Sequence, residues 1–404
     1  MADLEYWLWL STAGMSPLSQ TQLLDRFGSA EEIFHAPREA FDGLNLNPRD
    51  RELLESRNLD RAYQVLNTCR EQELRIVTYR DSAYPSRLRQ ISAPPVVLYL
   101  RGELPSLDSD PAIAVIGTRR ATPYGLKMAR TLSYQIARSG GLIISGLTQG
   151  IDAMAAQGAL QGDGRVLAVL GTCHELDRSF LSRDVVAAGG VLISEYAPGT
   201  PSRRYHFRER NRIAAGLSLG VVVVEAPAKS GALLFAEEAL EQGKEIFAVP
   251  GNADAESSAG TLSLIRDGAM LVTSGWDVMS EFEALYPGRM KRVPAGLEPP
   301  ALPPREGERE EKAQEPAPPE KHDRPEPEAR KEPPMKLRDQ LSTLSEDQLK
   351  IITAIEKNAS HIDDIIEATG LSTATVLAQL TVLQVKGWVR REPGMRIALN
   401  ITKK

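Results

Sequence analysis

The sequence predicts an α/β protein built on a doubly wound, mostly parallel sheet, and three observations carry the prediction. Short apolar runs recur through the middle of the 404-residue chain. Helix-length segments separate these runs, and glycine-bearing turns follow several of them. Strands that are apolar on both faces and are joined by helices are typical of a parallel sheet covered on both sides.

The predicted strands follow the apolar runs in chain order. The main series lies at residues 113–116, 142–145, 166–170, 191–194, 221–225, 246–249 and 270–273. Two earlier runs, at residues 75–79 and 96–99, are predicted to extend the edge of the sheet. We therefore predict an α/β domain over residues 73–290.

The chain before the sheet has helical periodicity. Leu23, Leu24 and Phe27, followed by Ile33 and Phe34, have the spacing of helices that pack through their apolar faces. Turn signals separate these short helical windows. We predict a small helical domain over residues 1–72.

A proline-rich stretch marks the clearest boundary. Residues 293–335 hold twelve of the 27 prolines, together with eleven acidic and seven basic residues. Such a segment buries too little apolar surface to offset its chain entropy, so we predict a disordered linker over residues 291–338. Beyond it, three helical windows and two strand-like runs joined through Pro393 and Gly394 predict a winged helix over residues 339–404.

Composition excludes several classes of protein. With 42% hydrophobic and 25% charged residues, the chain resembles an ordinary globular protein, and its apolar runs are too short to span a membrane. The N-terminal apolar stretch lacks a basic region before it, so we expect no signal peptide and a cytoplasmic protein. Cys69 and Cys173 lie far apart without metal-ligand spacing, so we predict no disulfide, no metal site and no cofactor.

Three glycine-bearing turns at the predicted strand ends have the chemistry of a phosphate site. The first is Gly117-Thr118-Arg119, the second runs from Gly146 to Gly150, and the third contains Ser230 and Gly231. Glycine lets backbone N–H groups approach an anion, and a following helix N-terminus favours negative charge. A single such turn is as easily a simple tight turn, but three at one sheet edge favour a phosphate ligand.

An arginine-rich turn is predicted from Pro201 to Arg212. It holds Arg203, Arg204, Arg208, Arg210 and Arg212, with Tyr205 and Phe207 between them. Guanidinium groups bind phosphate and aromatic rings stack on bases, which is the combination that single-stranded nucleic acid requires. The alternative is a solvated charged turn in which Arg210 or Arg212 pairs with internal acids and Phe207 joins the core. The net charge of −6 does not oppose nucleic-acid binding, because the proline-rich stretch alone contributes −4.

Signals for catalysis are weak. Cys173 and His174 are adjacent but lack an orienting acid, and Asp152 is expected to compensate a helix dipole. No turn has the dinucleotide or nucleoside-triphosphate motif. The alternative to a DNA-binding protein is a nucleotide-processing enzyme of the lysine-decarboxylase-like (phosphoribohydrolase) type, which the segment Lys229-Ser230-Gly231 followed by Glu237 resembles faintly.

Taken together, these turns resemble the DNA-processing protein A family (DprA, also called Smf). The shared stretches are residues 114–119, 145–147 with 150–152, 210–218, 230–231 with 236, 247–251, and 264–265 with 267–269. The resemblance implies an extended Rossmann-like core, an N-terminal helical domain of the sterile-alpha-motif type and a C-terminal winged helix. It also implies a homodimer that is not an enzyme, binds single-stranded DNA, protects incoming strands in natural transformation and helps to load RecA.

The resemblance also assigns roles to residues. Arg119 resembles the family's phosphate-contacting arginine, Arg204 stands where a basic residue contacts DNA, and Phe207 resembles the aromatic beside a base pocket. With the residues of the turns, the predicted DNA-binding set is Gly117, Thr118, Arg119, Gly146, Gly150, Arg203, Arg204, Phe207, Arg210, Asn211, Arg212, Ser230 and Gly231. The chain departs from the family pattern at Ala156, Gln157, Arg208, Leu262 and residues 177–180.

The expected recognition helix of the winged helix, residues 373–385, contains no Lys or Arg. A major-groove reader presents such side chains to bases and phosphates. Positive charge is confined to Lys386, Arg390, Arg391 and Arg396 near the predicted wing. We therefore predict a protein-contact or weak DNA role for this domain.

Overall fold

A computed structural model describes residues 3–177, 179–301, 345–356, 362–385, 388–392 and 396–399. The chain divides into two compact units, Met1–Pro303 and Pro304–Lys404. The first unit contains the N-terminal helices and the sheet, and the second contains the C-terminal helices and hairpin.

Five α-helices precede the sheet, and we call them the helical segment. They are α1 (Leu4–Thr12), α2 (Pro17–Phe27), α3 (Ala30–His35), α4 (Pro48–Leu53) and α5 (Asp60–Glu71). Their buried side chains, including Trp7, Leu23 and Ile33, form one cluster that also takes in Val97 and Tyr99 from the sheet. The helical segment is therefore packed against the edge of the sheet through a shared apolar core.

The sheet and its helices alternate along the chain as the apolar runs predict. The elements are β1 (Arg75–Thr78), α6 (Ser86–Arg89), β2 (Val97–Gly102), β3 (Ala112–Ile116), α7 (Pro123–Arg138), β4 (Leu142–Ser145), α8 (Ile151–Gln161), β5 (Val166–Val169), α9 (Leu181–Ala187), β6 (Val191–Ser194), α10 (Arg204–Leu217), β7 (Gly220–Val223), α11 (Gly231–Glu241), β8 (Glu245–Ala248), α12 (Ala259–Arg266), β9 (Met270–Leu271) and α13 (Gly275–Met279). Short 3-10 helices lie at Arg38–Phe41, His174–Leu176, Glu256–Ser258 and Ser280–Phe282. The predicted strands differ from these bounds by at most three residues at an end.

The nine strands form one sheet in the order β1-β2-β6-β5-β4-β3-β7-β8-β9. All neighbours from β6 to β9 in that order are parallel, whereas β2 pairs antiparallel with both β1 and β6. The chain leaves β3 in one direction to β4 and returns to its other side at β7. Ligands of open α/β sheets bind at such a switch point, outside the carboxyl ends of the strands.

Alternation along β3 shows how the sheet is buried on both faces. Ala112, Ala114 and Ile116 belong to one apolar cluster, and Ile113 and Val115 belong to another on the opposite face. All five are buried. Successive side chains point to opposite faces of a strand, so a continuous apolar run supplies both layers. The predicted doubly wound, mostly parallel fold is confirmed.

The arginine stretch from Pro201 to Arg212 is mostly helical, so the prediction of a turn was wrong. Helix α10 begins at Arg204, directly after the extended residue Arg203. No glycine or proline interrupts residues 204–215, and His206, Arg210, Ile213 and Leu217 are buried at helical spacing. Packing of that face against the sheet stabilises the helix.

The first residues of the predicted linker are held against the sheet domain. Gln135 on α7 donates hydrogen bonds from Nε2 to the carbonyl oxygens of Ala295 (2.8 Å) and Leu297 (2.9 Å). Lys127 pairs with Glu298 at 2.8 Å. These residues are thus ordered, contrary to the prediction of disorder, because side chains on α7 reach their polar groups. Residues 302–344, which hold the rest of the predicted linker, lie outside the described residues.

The second unit has the order of a winged helix. Helices α14 (Glu346–Glu356), α15 (Ile362–Thr369) and α16 (Thr373–Val385) precede the antiparallel strands β10 (Val389–Glu392) and β11 (Arg396–Leu399). Ile351, Ile365, Leu380, Trp388 and Ile397 contribute to one buried cluster. The predicted winged helix is confirmed, while its turn at Pro393 and Gly394 lies outside the described residues.

Candidate nucleic-acid interface

A cavity of about 510 Å³, which we call the first cavity, opens at the carboxyl ends of the central strands. The loop after β3, the start of α8, the exposed side of α10 and the loop before α11 form its walls. Its lining includes Gly117, Thr118, Arg119, Arg120, Thr148, Asp152, Arg204, Phe207, Arg208, Arg210, Asn211, Lys229, Ser230 and Gly231. Residues distant in sequence thus meet at the switch point of the sheet.

Five exposed cations surround the first cavity. They are Arg119, Arg120, Arg204, Arg208 and Lys229. In the part of the chain that the structure describes, none of them forms an ion pair with an acidic side chain. Their charge is therefore available to an anionic ligand, and guanidinium groups suit phosphate in particular.

Phe207 provides an aromatic surface in the first cavity. Its ring packs on Gly171, where a Cβ atom would lie 2.7 Å from Cδ1 of the ring. The Arg119 guanidinium lies 5.5 Å from the ring centroid in a cation–π contact. Phe207 is half-buried, so one part of the ring is anchored while another part remains accessible. An anchored, partly accessible ring beside cations is suited to stacking with a base.

Two buried side chains of opposite charge, Arg210 and Asp152, lie beneath the cavity surface. Arg210 donates from Nη1 to the carbonyl oxygen of Val169 at 2.9 Å, and Thr148 donates to Oδ2 of Asp152 at 3.0 Å. Burial raises the pKa of Asp152, although the positive charge of Arg210 opposes that shift. Burial likewise lowers the pKa of Arg210. Both side chains are almost fully buried, so they form the floor of the cavity.

Two glycines support the cavity from behind. A Cβ atom at Gly146 would lie 2.0 Å from Nη1 of Arg210, so glycine there leaves room for the guanidinium. Gly150 has a φ of +85°, and a Cβ atom there would lie 2.4 Å from the carbonyl oxygen of Thr118. The second turn thus fits closely against the first, which positions Arg119 at the cavity.

The start of α11 presents hydrogen-bonding groups to the cavity. Ser230 caps this helix by accepting a hydrogen bond from the backbone N–H of Ala232 at 3.2 Å. Gly231 follows as the first helical residue, and a Cβ atom there would meet no atom within 4 Å. Helix N-termini favour anions, so this end of α11 adds to the attraction that the exposed cations across the cavity exert on an anionic ligand.

The structure brings together most of the predicted site residues. Those that line the first cavity are Gly117, Thr118, Arg119, Arg204, Phe207, Arg210, Asn211, Ser230 and Gly231. Gly146 and Gly150 lie behind its wall. Arg203 faces a separate cavity, and Arg212 forms a buried ion pair with Glu195.

Sequence reasoning left several lining residues out of the site. They are Arg120, Thr148, Asp152, Arg208 and Lys229. Each lies in or next to a turn that was singled out, so its position in the sequence was a usable signal. Asp152 was interpreted as a helix-dipole partner because its burial beside Arg210 depends on tertiary packing.

Neither a metal cluster nor a membrane span is found in the described ranges. Among these residues, no group of three or more His, Cys, Asp or Glu side chains could hold a metal ion. Within the same part of the chain, no helix has the length and apolar character needed to cross a membrane.

The fold and the site define the class of this protein: an α/β sheet protein with a cationic cavity at its switch point and a C-terminal winged helix. Residues 75–283 match the DNA recombination-mediator protein A family, and residues 332–395 match the DprA winged helix domain. The chain belongs to this DprA/Smf family.

Individual relatives agree with that assignment. Protein Smf of Synechocystis is 32% identical over 416 residues, covering 97% of each chain. DNA processing protein DprA of Bacillus subtilis is 38% identical over 221 residues, covering 54% of this chain and 74% of the relative. The X-ray structure of DprA from Streptococcus pneumoniae superposes with a TM-score of 0.57 at 32% identity, covering 68% of this chain and 96% of that one.

Proposed function

We propose that the first cavity binds the backbone and a base of single-stranded DNA. The observation that carries the proposal is the group of five exposed cations, without acidic partners among the described residues, around the half-buried Phe207. Arg119 stands beside both parts of the ligand, because its guanidinium is exposed to phosphate and lies 5.5 Å from the ring centroid of Phe207. Phosphate contacts supply affinity that does not depend on base sequence.

The shape of the site supports a single strand over a duplex. Phe207 lies inside a cavity of about 510 Å³, so a base must leave its stack to reach the ring. An unpaired base does this at little cost, whereas a paired base must first be unstacked and unpaired. We therefore expect a preference for single-stranded DNA.

We also propose that the site binds without turning over its ligand. Asp152, an acid that lines the cavity, is buried and accepts a hydrogen bond from Thr148. Glu237, the candidate catalytic acid of the nucleotide-processing alternative, is absent from the lining. A general acid or base has to come within hydrogen-bonding distance of the reacting group.

The direct test is a double variant, Arg119→Ala with Arg204→Ala. Each change removes charge-assisted hydrogen bonds to phosphate, so we expect a loss of affinity of roughly 100-fold for labelled single-stranded DNA. The slope of log K against log salt should become shallower by roughly 0.7 for each phosphate that the variant no longer binds. Fluorescence anisotropy at two salt concentrations measures both quantities.

The matched control replaces Arg26 and Arg70, two exposed arginines of the helical segment that lie outside the first cavity. Unchanged affinity and salt dependence in the folded Arg119 and Arg204 variant would contradict the site. Release of free base from nucleoside monophosphates by the wild-type protein would instead favour the nucleotide-processing enzyme.

The wider role follows from the family resemblance. We propose that the protein acts in the cytoplasm as a homodimer, protects incoming single strands during natural transformation and helps to load RecA. We further propose that residues 1–72, 73–290 and 339–404 are the helical, sheet and winged-helix domains, and that the segment 291–338 links the sheet domain to the winged helix. Residues 73–290 contain the first cavity, so this domain would carry most of the DNA contact.

A further inference from the structure

A second cavity, of about 590 Å³, lies between the helical segment and the sheet domain. Its walls come from the loop between α1 and α2, the starts of α4 and α5, the loop after β6 and the first turns of α10. The first turns of α10 therefore border both cavities. Arg204, Phe207 and Arg208 line the first, whereas Arg203, Tyr205 and His206 line the second.

Unpaired positive charge lies at the surface of the second cavity. Arg49 and Arg203 are exposed, and in the described residues neither side chain forms a hydrogen bond or an ion pair. Arg61 is instead tied to the carbonyl oxygen of Pro198 at 2.6 Å, which links the helical segment to the loop after β6. Two free guanidinium groups from different parts of the chain thus flank the second cavity.

Aromatic rings form the wall on the side of α10. His206 is only 4% exposed, and its ring stacks on Tyr196 with centroids 4.0 Å apart. Its Nδ1 atom is buried without a hydrogen-bond partner among the described residues. Tyr205 is 54% exposed and meets His206 edge-on at 4.6 Å, so its ring face remains available. The free ring face of Tyr205 suits stacking with an aromatic ligand.

Acidic side chains that line the second cavity determine which part of a nucleotide can enter it. Glu195 is engaged by Arg212, Asp50 accepts hydrogen bonds from Ser16 and Asn47, and Glu209 accepts one from Tyr196 at 3.2 Å. Carboxylates repel phosphate but accept hydrogen bonds from the amino groups of bases. A nucleotide therefore fits with its base inside the cavity and its phosphate beside Arg49 and Arg203.

The N-terminal end of α10 borders both cavities. Residues 201–205, four of which line one cavity or the other, are all exposed. Among the described residues no side chain caps the N-terminal end of α10, so the backbone N–H groups of Arg204 and Tyr205 can face an anion. The bridge between the cavities thus favours phosphate.

We propose that the second cavity holds a further base of the same DNA strand that fills the first cavity, with its phosphates at Arg203 and Arg49. The strand would cross the N-terminal end of α10 and reach the helical segment. This inference rests on the proposed function and extends the DNA-binding surface beyond the sheet domain. It assigns to the helical segment a direct contact with DNA.

The test compares a short and a long oligodeoxynucleotide, of about four and about sixteen nucleotides, on the full chain. The variant combines Arg49→Ala with Tyr205→Ala, both exposed side chains. Its affinity for the long strand should fall about tenfold or more, with a smaller salt dependence, because the variant can neither stack a base at residue 205 nor hold a phosphate at residue 49. Its affinity for the short strand, which the first cavity accommodates, should not change.

The matched control combines Arg26→Ala with Tyr63→Ala, which removes an exposed arginine and an exposed tyrosine of the helical segment outside both cavities. Equal affinity of variant and wild type for the long strand would overturn the inference while leaving the proposed function intact. Equal losses for the two lengths would also overturn it. If the wild-type chain bound neither strand, the proposed function itself would fail.

Discussion

The arginines of α10 differ sharply in environment although they are close in sequence. Arg204 and Arg208 are exposed at the first cavity, whereas Arg210 and Arg212 are buried. Arg210 is bonded to Val169 beside Asp152, and Arg212 pairs with Glu195. The exposed arginines can therefore serve a ligand, while Arg212 serves the fold.

This difference predicts opposite effects of two substitutions. Arg212→Ala leaves the partly buried Glu195 without its cation, which should lower the free energy of unfolding by about 1–3 kcal/mol. Since Arg212 lies outside the first cavity, the salt dependence of DNA binding should stay unchanged. Urea unfolding and anisotropy titrations measure the two effects.

Arg208→Ala is the matched control for Arg212→Ala. It removes an exposed side chain, so stability should change by no more than about 0.5 kcal/mol, whereas the salt dependence of binding should decrease. A stable Arg212 variant with weakened salt dependence would contradict the structural role assigned to Arg212.

At the scale of single elements, α10 shows how packing decides local structure. Arginine, asparagine and aromatic residues at its start are compatible with either a turn or a helix. The apolar residues Ile213, Ala214 and Leu217 lie further along and pack on the sheet. Tertiary burial of that face extends the helix back to Arg204.

The short helix α13 depends on its N-terminal cap. Ser274 and Asp277 form a capping box, and the Asp277 carboxylate also accepts a hydrogen bond from the backbone N–H of Thr273 at 2.8 Å. Burial alone would raise the pKa of Asp277, but the hydrogen bonds from Thr273 and Ser274 outweigh it and lower the pKa. A lowered pKa means that the folded state prefers the ionised carboxylate.

The cap therefore predicts a pH-dependent contribution to stability. Asp277→Ala should lower the free energy of unfolding by about 1 kcal/mol at neutral pH. The pKa of Asp277 in the folded state lies below its value of about 4 in the unfolded state. The stabilisation is therefore present above about pH 4 and is lost as the pH falls through the folded-state pKa.

Urea unfolding at about pH 7 and about pH 3 checks this expectation. The difference between wild type and Asp277→Ala should shrink at the lower pH. Asp267→Ala is a control, because this exposed carboxyl group at the end of α12 lies outside the capping box. A difference for Asp277→Ala that stayed constant across this pH range would contradict the assigned protonation.

At the scale of the whole molecule, the candidate DNA site lies within one of the two units. Both cavities belong to residues 1–303, and the helix α16 of the second unit contains no Lys or Arg. The division separates a unit with unpaired surface cations from one whose helix α16 offers no Lys or Arg to bases and phosphates.

This division predicts that removal of residues 337–404 leaves most single-strand affinity intact, with a change of no more than about threefold. The thermal midpoint of the remaining unit should also be preserved, since its core is built from its own residues. Anisotropy and circular dichroism measure these outcomes. The full chain with Arg119→Ala and Arg204→Ala, which keeps the winged helix, is the contrasting variant. A collapse of affinity on truncation would make the winged helix the main contact.

The sequence alone determined the alternation of strands and helices, the winged helix and the glycine turns, because these depend on local periodicity and residue type. Apolar runs such as residues 142–145 and 191–194 matched their strands at both ends. The sequence also identified Arg119, Arg204 and Phe207 as candidate contacts, since they lie beside those turns and in the arginine stretch.

Tertiary structure decided which of these residues share a surface. The strand order brings the loops after β3 and before α11 to one cavity, although more than a hundred residues separate Arg119 from Ser230. Burial turned Arg212 inward to Glu195 and placed Arg203 at the second cavity. Such pairings depend on contacts between segments that are distant in the sequence. Burial and charge set the energies of these contacts, so no local sequence pattern reveals the pairings.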